Sequence, residues 1–190
     1  MKIIDAHVHL VQCIAGTESN GEMRSCGGGR GICADGTVYQ LIPEEWKTDA
    51  VTPERVLQVM DTHHVERAVL LQGGFLGFQN LYSYQAQQKW PDRFLAAGGY
   101  DPYSRRRDGI VRHLFEELGL RVVKFEVSTG SGLMANHPLF ALDGEMMEKV
   151  PASVLVNHPG LSLLHDSLLF IHPRTPARRC GTESILFPLH

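Results

Sequence analysis

Two histidines separated by a single residue form the pattern in this sequence with the clearest chemical meaning. His7 and His9 close an apolar N-terminal segment, residues 1–9, that reads MKIIDAHVH. In an extended strand, residues two apart point to the same face, so the two imidazoles would project together from the strand's C-terminal end. Neutral imidazole is a common zinc ligand, and a bound metal ion can activate water. The spacing predicts two ligands of one metal ion, with a chance surface pair as the alternative.

The elements that would position this pair alternate between helix and strand. Thr52 and Pro53 have the residue types of a helix N-cap and a first helical position, and this helix is predicted to end near His63. The further predicted elements are strand 67–72, helix 81–89, strand 94–100, helix 106–118 with Gly119 as its left-handed C-terminal residue, and strand 120–127. This order predicts a parallel sheet, either as part of a barrel or as an open, doubly wound sheet.

The segment between the histidine pair and the first helix, residues 10–52, has little regular hydrophobic pattern and is predicted to be a long loop. Within it, Cys26 and Cys33 flank the glycine-rich stretch 27–31. Such a stretch can cradle an anion, but this one lacks the strand before it, the helix after it and the Lys-Ser/Thr ending of a P-loop. We therefore expect a surface loop or a lid over an active site.

Four segments resemble a known family. The opening resembles the first strand of the amidohydrolase superfamily, in particular the amidohydrolase-related branch of hydrolases and decarboxylases. Segments 65–71, 90–94 and 119–125 resemble the family's second strand, the approach to its third strand, and its fourth strand. The resemblance covers about residues 1–149. It implies a metal-dependent (β/α)8 TIM barrel, with His7 and His9 as metal ligands at the C-terminal face of the sheet.

The resemblance also implies a third ligand and a reaction. Segment 153–160 reads as a fifth strand that ends in His158, and a fifth-strand histidine is the third metal ligand in several branches of the family. A chance histidine in a histidine-rich segment is the alternative. The implied cofactor is a divalent metal ion, zinc above all. The implied reaction is attack of metal-activated water on a small carbonyl or carboxylate compound, or else a decarboxylation.

Lys124, on the predicted fourth strand, has two interpretations. In binuclear members of the family a carbamylated lysine at this strand bridges two metal ions. The alternative is a polar residue at the top of the sheet that pairs with Glu126, two residues further along the same face.

The length of the chain limits this interpretation. A complete barrel takes about 250 residues, whereas this chain has 190. We therefore predict an α/β fold that is a partial (β/α)8 barrel of about four to five βα units in residues 1–149. Residues 150–190 form an atypical tail with five of the ten prolines and four of the ten histidines. The tail is expected to be frame-shifted or disordered. A truncated, non-catalytic fragment that self-associates through an exposed sheet edge is the alternative to an enzyme.

The composition describes one ordinary globular domain. A net charge of −3 with 43% apolar and 21% charged residues gives no reason to expect a nucleic-acid partner. No apolar run approaches the roughly 18 residues of a membrane span, and the N-terminus lacks the pattern of a secretory signal. The four cysteines are too irregularly spaced for a disulfide framework. The expectation is a cytoplasmic protein with a small-molecule substrate, no membrane partner, and a homo-oligomer as an open alternative.

Overall fold

Two β-sheets organise the part of the chain that the computed structural model describes, residues 3–125 and 162–165. The described strands are β1 (Ile3–Val8), β2 (Thr17–Glu18), β3 (Gly21–Gly27), β4 (Arg30–Cys33), β5 (Val38–Gln40), β6 (Val65–Leu70), β7 (Phe94–Gly98), β8 (Val122–Phe125) and β9 (Ser162–His165). The larger sheet is curled and has the order β1-β6-β7-β8-β9. All of its pairings are parallel, which confirms the parallel sheet that the alternating elements predict.

The helices follow the predicted order. They are α1 (Pro53–Thr62), α2 (Asn80–Lys89) and α3 (Arg107–Val111), with a short 3-10 helix at Glu44–Trp46 and π-helical turns at Arg112–Glu117 that continue α3. Thr52 caps α1 as predicted, since its hydroxyl accepts a hydrogen bond from the N–H of Arg55. Gly119 has a φ of 70° and so takes the predicted left-handed conformation after the helical turns.

A second, antiparallel sheet occupies most of the segment that was predicted to be a long loop. Strands β2, β3, β4 and β5 are consecutive neighbours, and β3 and β4 form a hairpin across the glycine-rich stretch. Three successive glycines, at positions 27–29, have positive φ values and make the turn. The buried side of this sheet contributes Met23 and Cys33 to a cluster with Val11, Ile14 and Ile42. The loop prediction was therefore wrong for these residues.

The hydrophobic core lies mainly between the parallel sheet and its helices. Strand β6 contributes Ala68 and Leu70 to a cluster with Val56 and Met60 of α1, and Val8 packs against it. A second cluster joins Leu114 and Phe115 of the π-helical turns to β7 and β8. Because consecutive strand residues point to opposite faces, Val69, Leu71 and their equivalents on β7 and β8 form the opposite face of the sheet.

The fifth strand of the sheet is β9, which pairs with β8 so that Phe125 lies opposite His165. The predicted fifth strand, residues 153–160 with His158, lies outside the described residues, and so do Glu126 and the predicted domain boundary at 149/150. No described helix has the length and apolar character needed to cross a membrane. Within the described ranges, Cys13, Cys26 and Cys33 are not in disulfide bonds.

Candidate metal site at the end of the first strand

The two histidines of the His-x-His pattern converge as predicted. His7 is exposed near the end of β1, and His9 is half-buried just after the strand. Their Nε2 atoms are 3.0 Å apart. The ring centroids are separated by 5.0 Å, and the ring planes meet at 66°. Both imidazoles therefore direct the same nitrogen to one point.

A separation of 3.0 Å is compatible with two chemical states of the pair. Without a metal, one Nε2 carries a hydrogen and donates it to the lone pair of the other. Two imidazole nitrogens on one tetrahedral zinc ion, at about 2.05 Å each, would lie about 3.3 Å apart. The conversion from the first state to the second would thus need a movement of only a few tenths of an ångström and a tautomer change in one ring, whose hydrogen would be on Nδ1 instead of Nε2, with no net loss of a proton.

An irregularity in β1 contributes to the direction of His7. Between the pairs Asp5↔Ala68 and Val8↔Leu70, β1 advances three residues while β6 advances two, so β1 carries one extra residue at this point. A bulge of this kind redirects a side chain and removes backbone groups from the ladder. The carboxylate of Asp5 accepts a hydrogen bond from the backbone N–H of His7 at 3.0 Å, which anchors the bulged backbone.

The described residues supply two metal-binding side chains at this position. Among residues 3–125 and 162–165, no group of three or more His, Cys, Asp or Glu side chains is arranged to hold a metal ion. His158, the predicted third ligand, is outside these ranges. His165, which the sequence reasoning missed, ends the strand that lies next to β8. The signal that could have singled it out is the leucine-rich segment 161–164, LSLL, that precedes it.

Lys124 lies on the same face of the parallel sheet as the histidine pair. Val8 packs on the helix side, so His7 and His9, one residue before and after it, point to the opposite face. Val122 belongs to the cluster on that opposite face, and Lys124 follows it by two residues. The side chain of Lys124 is only 3% exposed. A lysine side chain is thus buried on the face that carries the imidazoles.

A chain of side-chain amides behind the site was not predicted. Gln72, Gln79 and Ser83 are all buried, and they connect the end of β6 to the start of α2. The side-chain oxygen of Gln72 accepts from the N–H of Gln79 at 2.7 Å, and its amide nitrogen donates to the Ser83 hydroxyl at 2.9 Å. The only sequence signal for it is a glutamine that follows the apolar run of β6 directly.

The glycine-rich turn binds a side-chain carboxylate of the same chain, that of Asp49. The carboxylate of Asp49 accepts hydrogen bonds from the N–H of Gly29 at 2.7 Å and from the Ser25 hydroxyl at 2.8 Å. These two donors, with the charge of Arg30, hold the pKa of Asp49 below its usual range. A groove of about 530 Å³ adjoins this contact, lined by Gly28, Glu44, Lys47, Thr48 and Asp49. The turn is therefore anchored by this carboxylate.

Comparisons with known proteins were made for sequence families, curated proteins and solved structures. No family model and no curated protein matches the chain. Among solved structures, the chain is similar to a probable 2-pyrone-4,6-dicarboxylic acid hydrolase from Acinetobacter baumannii, crystallised with citric acid bound. The identity is 18% and the TM-score is 0.49, and the match covers 82% of this chain and 46% of the other. The chain thus spans less than half of that structure, and a likeness of this degree assigns neither family nor activity.

Proposed function

We propose that this chain binds one divalent metal ion through His7 and His9, with zinc as the expected ion, and that it is a hydrolase of the amidohydrolase type. The observation that supports this proposal is the 3.0 Å approach of the two Nε2 atoms at the C-terminal end of a parallel strand. The C-terminal edge of parallel strands is where barrel enzymes place their active sites.

The donor set fits two coordination positions of a zinc ion. A catalytic zinc ion ordinarily has three protein ligands and one open position, so a further ligand has to join His7 and His9. Two residues are candidates. The sequence pattern favours His158, and the position of β9 in the sheet favours His165, which ends the strand next to β8.

A ligand from the fifth strand requires a closed or nearly closed sheet. In a flat sheet, β1 and β9 would be separated by four strand spacings of about 4.8 Å, or roughly 19 Å. Two histidine side chains cannot reach one metal ion across that distance. A fifth-strand ligand is therefore possible only if the sheet curves, as it does in the proposed (β/α)8 type of fold, so that the ends of β1 and β9 approach each other.

The proposed substrate is a small carbonyl or carboxylate compound. When bound, a zinc ion supplies a hydroxide at neutral pH and polarises a carbonyl group. His7 and His9 contribute by binding through neutral Nε2, which leaves the proton of each ring on Nδ1. Hydrolysis is the proposed reaction, and decarboxylation of such a compound is the alternative at the same site.

The first experiment is metal content per chain after dialysis against zinc and then against metal-free buffer. The unmodified chain is compared with His7→Ala, His9→Ala, His158→Ala and His165→Ala, and with His63→Ala, an exposed histidine after α1, as the matched control. We expect about one zinc ion per chain, lost in the first two variants, retained in the control, and lost in only one of His158→Ala and His165→Ala. An unmodified chain that retains no zinc would rule out this function.

A second candidate, a self-associating fragment without catalysis, is favoured by a specific surface. In the described sheet, β1 is an edge strand. Ile3 on β1 and Leu95 on β7 are 37% and 41% exposed. An exposed edge beside apolar side chains is a site for pairing between chains.

This candidate predicts an association that depends on concentration. Sedimentation velocity over a dilution series should show dimers or larger species that Ile3→Lys shifts toward monomer, because a charged edge strand resists pairing. Arg67→Lys, which retains the charge of an exposed residue on β6, is the matched control. A chain that stays monomeric throughout the series contradicts the candidate.

A further inference from the structure

Gln79 lies behind the histidine pair and makes contact with the backbone that follows it. Its side-chain oxygen accepts from the N–H of Gln12 at 3.1 Å, and its side-chain nitrogen donates to the carbonyl of Cys13 at 3.0 Å. Gln79 is 8% exposed, and both bonds are partly buried. Gln12 and Cys13 are the third and fourth residues after His9. The side-chain amide of Gln79 thus binds one backbone N–H and one backbone carbonyl of the segment that follows His9. We call this pair of hydrogen bonds the Gln79 clamp.

Gln79 is itself held in place by Gln72 and Ser83. Gln72 accepts from the backbone N–H of Gln79 and donates to Ser83, which is fully buried in α2. The carbonyl of Gln79 accepts from the N–H of Ser83, and this is the first hydrogen bond of α2. The position of the Gln79 side chain is therefore set by β6 and α2, both of which belong to the packed core. Buried amides that satisfy one another in this way form a rigid connection.

We infer that Gln79 is the positioning residue of the metal site: it holds the segment after His9 so that the Nε2 of His9 stays beside that of His7. This inference rests on the proposed function for its consequence, but its geometry concerns the metal-free chain. On one side His9 is fixed by Val8, whose carbonyl accepts from the N–H of Leu71 at 2.7 Å. On the other side the backbone is tied by Val11 to Val51 and then by the Gln79 clamp. Loss of the clamp removes the side-chain partners of two partly buried backbone groups and leaves the Val11–Val51 bridge as the remaining tie on this side of His9.

The neighbouring residue offers a matched control. Asn80 makes an equivalent two-bond clamp, accepting from the N–H of Gly99 at 2.8 Å and donating to its carbonyl at 2.9 Å. This clamp ties α2 to the segment after β7 rather than to the segment after β1. Removal of either clamp costs the fold two side-chain hydrogen bonds, but only the Gln79 clamp touches the chain that follows His9.

The test compares Gln79→Met with Asn80→Leu, two substitutions that keep the side-chain volume and remove the amide. The first readout is the contact between the His7 and His9 rings in the metal-free, 15N-labelled protein, measured by NMR at a pH where both imidazoles are neutral. The second is zinc affinity. We expect Gln79→Met to lose the ring contact and to weaken zinc binding by about 10- to 100-fold, as removal of supporting residues around metal ligands does. Asn80→Leu should retain both.

Each outcome decides the inference. Retention of the ring contact and of zinc affinity in Gln79→Met would overturn it, as would an unmodified chain whose two rings are not in contact. If Gln79→Met does not fold, Gln79→Glu replaces it, since glutamate still accepts from Gln12 but no longer donates to Cys13. An unchanged ring contact in that variant also overturns the inference. If the unmodified chain has the ring contact but retains no zinc, the proposed function fails while the positioning role of Gln79 stands.

Discussion

At the scale of single residues, Asp49 makes the stability of the β3–β4 hairpin depend on acid. Its carboxylate is bound by Gly29 and Ser25, and its pKa lies below the usual value of 3.8. A carboxyl group whose pKa is lower in the folded than in the unfolded chain stabilises the fold above its unfolded pKa. That contribution is lost as the pH falls through the folded value.

We therefore expect Asp49→Asn to lower the urea unfolding midpoint at neutral pH and to flatten its decline in acid. The curves of the two proteins should converge as the pH falls below the usual aspartate range, because the unmodified carboxyl group is then protonated too. Asp108→Asn, which removes an exposed carboxylate at α3, serves as the control. Parallel curves at every pH for Asp49→Asn and the unmodified chain would contradict the assignment.

Gly16 is a position where the backbone leaves no room for a side chain. A Cβ added there would be placed directly on the carbonyl of Phe75, and Gly74 is also close. The same contact region includes the hydrogen bond from the N–H of Thr17 to the carbonyl of Gly74. Since the obstacle is backbone rather than a flexible side chain, Gly16→Ala must push apart the segments that follow β1 and β6.

The expected cost of Gly16→Ala is about 1–3 kcal/mol in the free energy of unfolding, the range for overpacking a filled site. Chemical denaturation measures it directly. Because the displaced segments lie beyond His9 and beyond β6, zinc affinity should fall in the same variant. A stability equal to that of the unmodified chain would show that the two segments do not pack as described.

The sequence predicted the histidine pair but not the residues that support it. His7 and His9 are two residues apart, so the alternation of a strand is a local signal that they share a face. Gln79 contacts Gln12 and Cys13, which are 67 and 66 residues away in sequence, and these contacts exist only after the segments that follow β1 and β6 have packed. Gln72 contacts Gln79 and Ser83, which are 7 and 11 residues away. No local pattern marks a glutamine of this kind, because its role is defined by the backbone groups that it meets.

At the scale of elements, two glycines near α3 test the helix boundary. Gly109 lies within α3 with helical backbone, and Gly119 follows the π-helical turns with a φ of 70°. A Cβ would meet nothing within 4 Å at either position. Only the backbone conformation therefore distinguishes the two substitutions.

Gly109→Ala should stabilise the protein by about 1 kcal/mol, since alanine is the better helix former. Gly119→Ala should destabilise it by about 1–2 kcal/mol, because an L-residue with a Cβ is strained in the left-handed region. Thermal or urea unfolding of the two variants measures the difference. Changes of the same sign in both would show that the helical turns do not end at Gly119.

Helices and strands with strong local sequence signals were predicted well, and those without such signals were missed. Helix α1 has a hydroxyl cap, a proline at its first position and an apolar stripe, and it was predicted almost to the residue. The antiparallel sheet β2–β5 was missed because its strands have two to seven residues and few alternating apolar positions. Its core side chains, Met23 and Cys33, are buried by partners such as Ile42 that are remote in sequence.

At the scale of the whole molecule, the proposed metal site links the two ends of the parallel sheet. Strand β1 carries His7 and is followed by His9, and the candidate third ligands belong to the chain after β8, at or near β9. The three strands between β1 and β9 are held by backbone pairing and by core clusters on the helix side. A metal ion bound by both ends would add a connection between parts of the sheet that do not pair with each other.

If the metal ion connects the two ends of the sheet, zinc should raise the free energy of unfolding. The variants that abolish this gain then show whether the site has a third ligand or only the two histidines. With free zinc at about 100 times its dissociation constant, binding to the folded chain adds roughly 2.7 kcal/mol to the free energy of unfolding. His7→Ala and the third-ligand variant should each abolish this gain, because a ligand from either end of the sheet is needed to retain the ion. Thermal unfolding with zinc and with a chelator measures it. If His158→Ala and His165→Ala both keep the full gain while His7→Ala loses it, the ion is bound at the end of β1 without either residue. The sheet would then not be closed by the metal, and the catalytic role proposed for the site would lose its fifth-strand ligand.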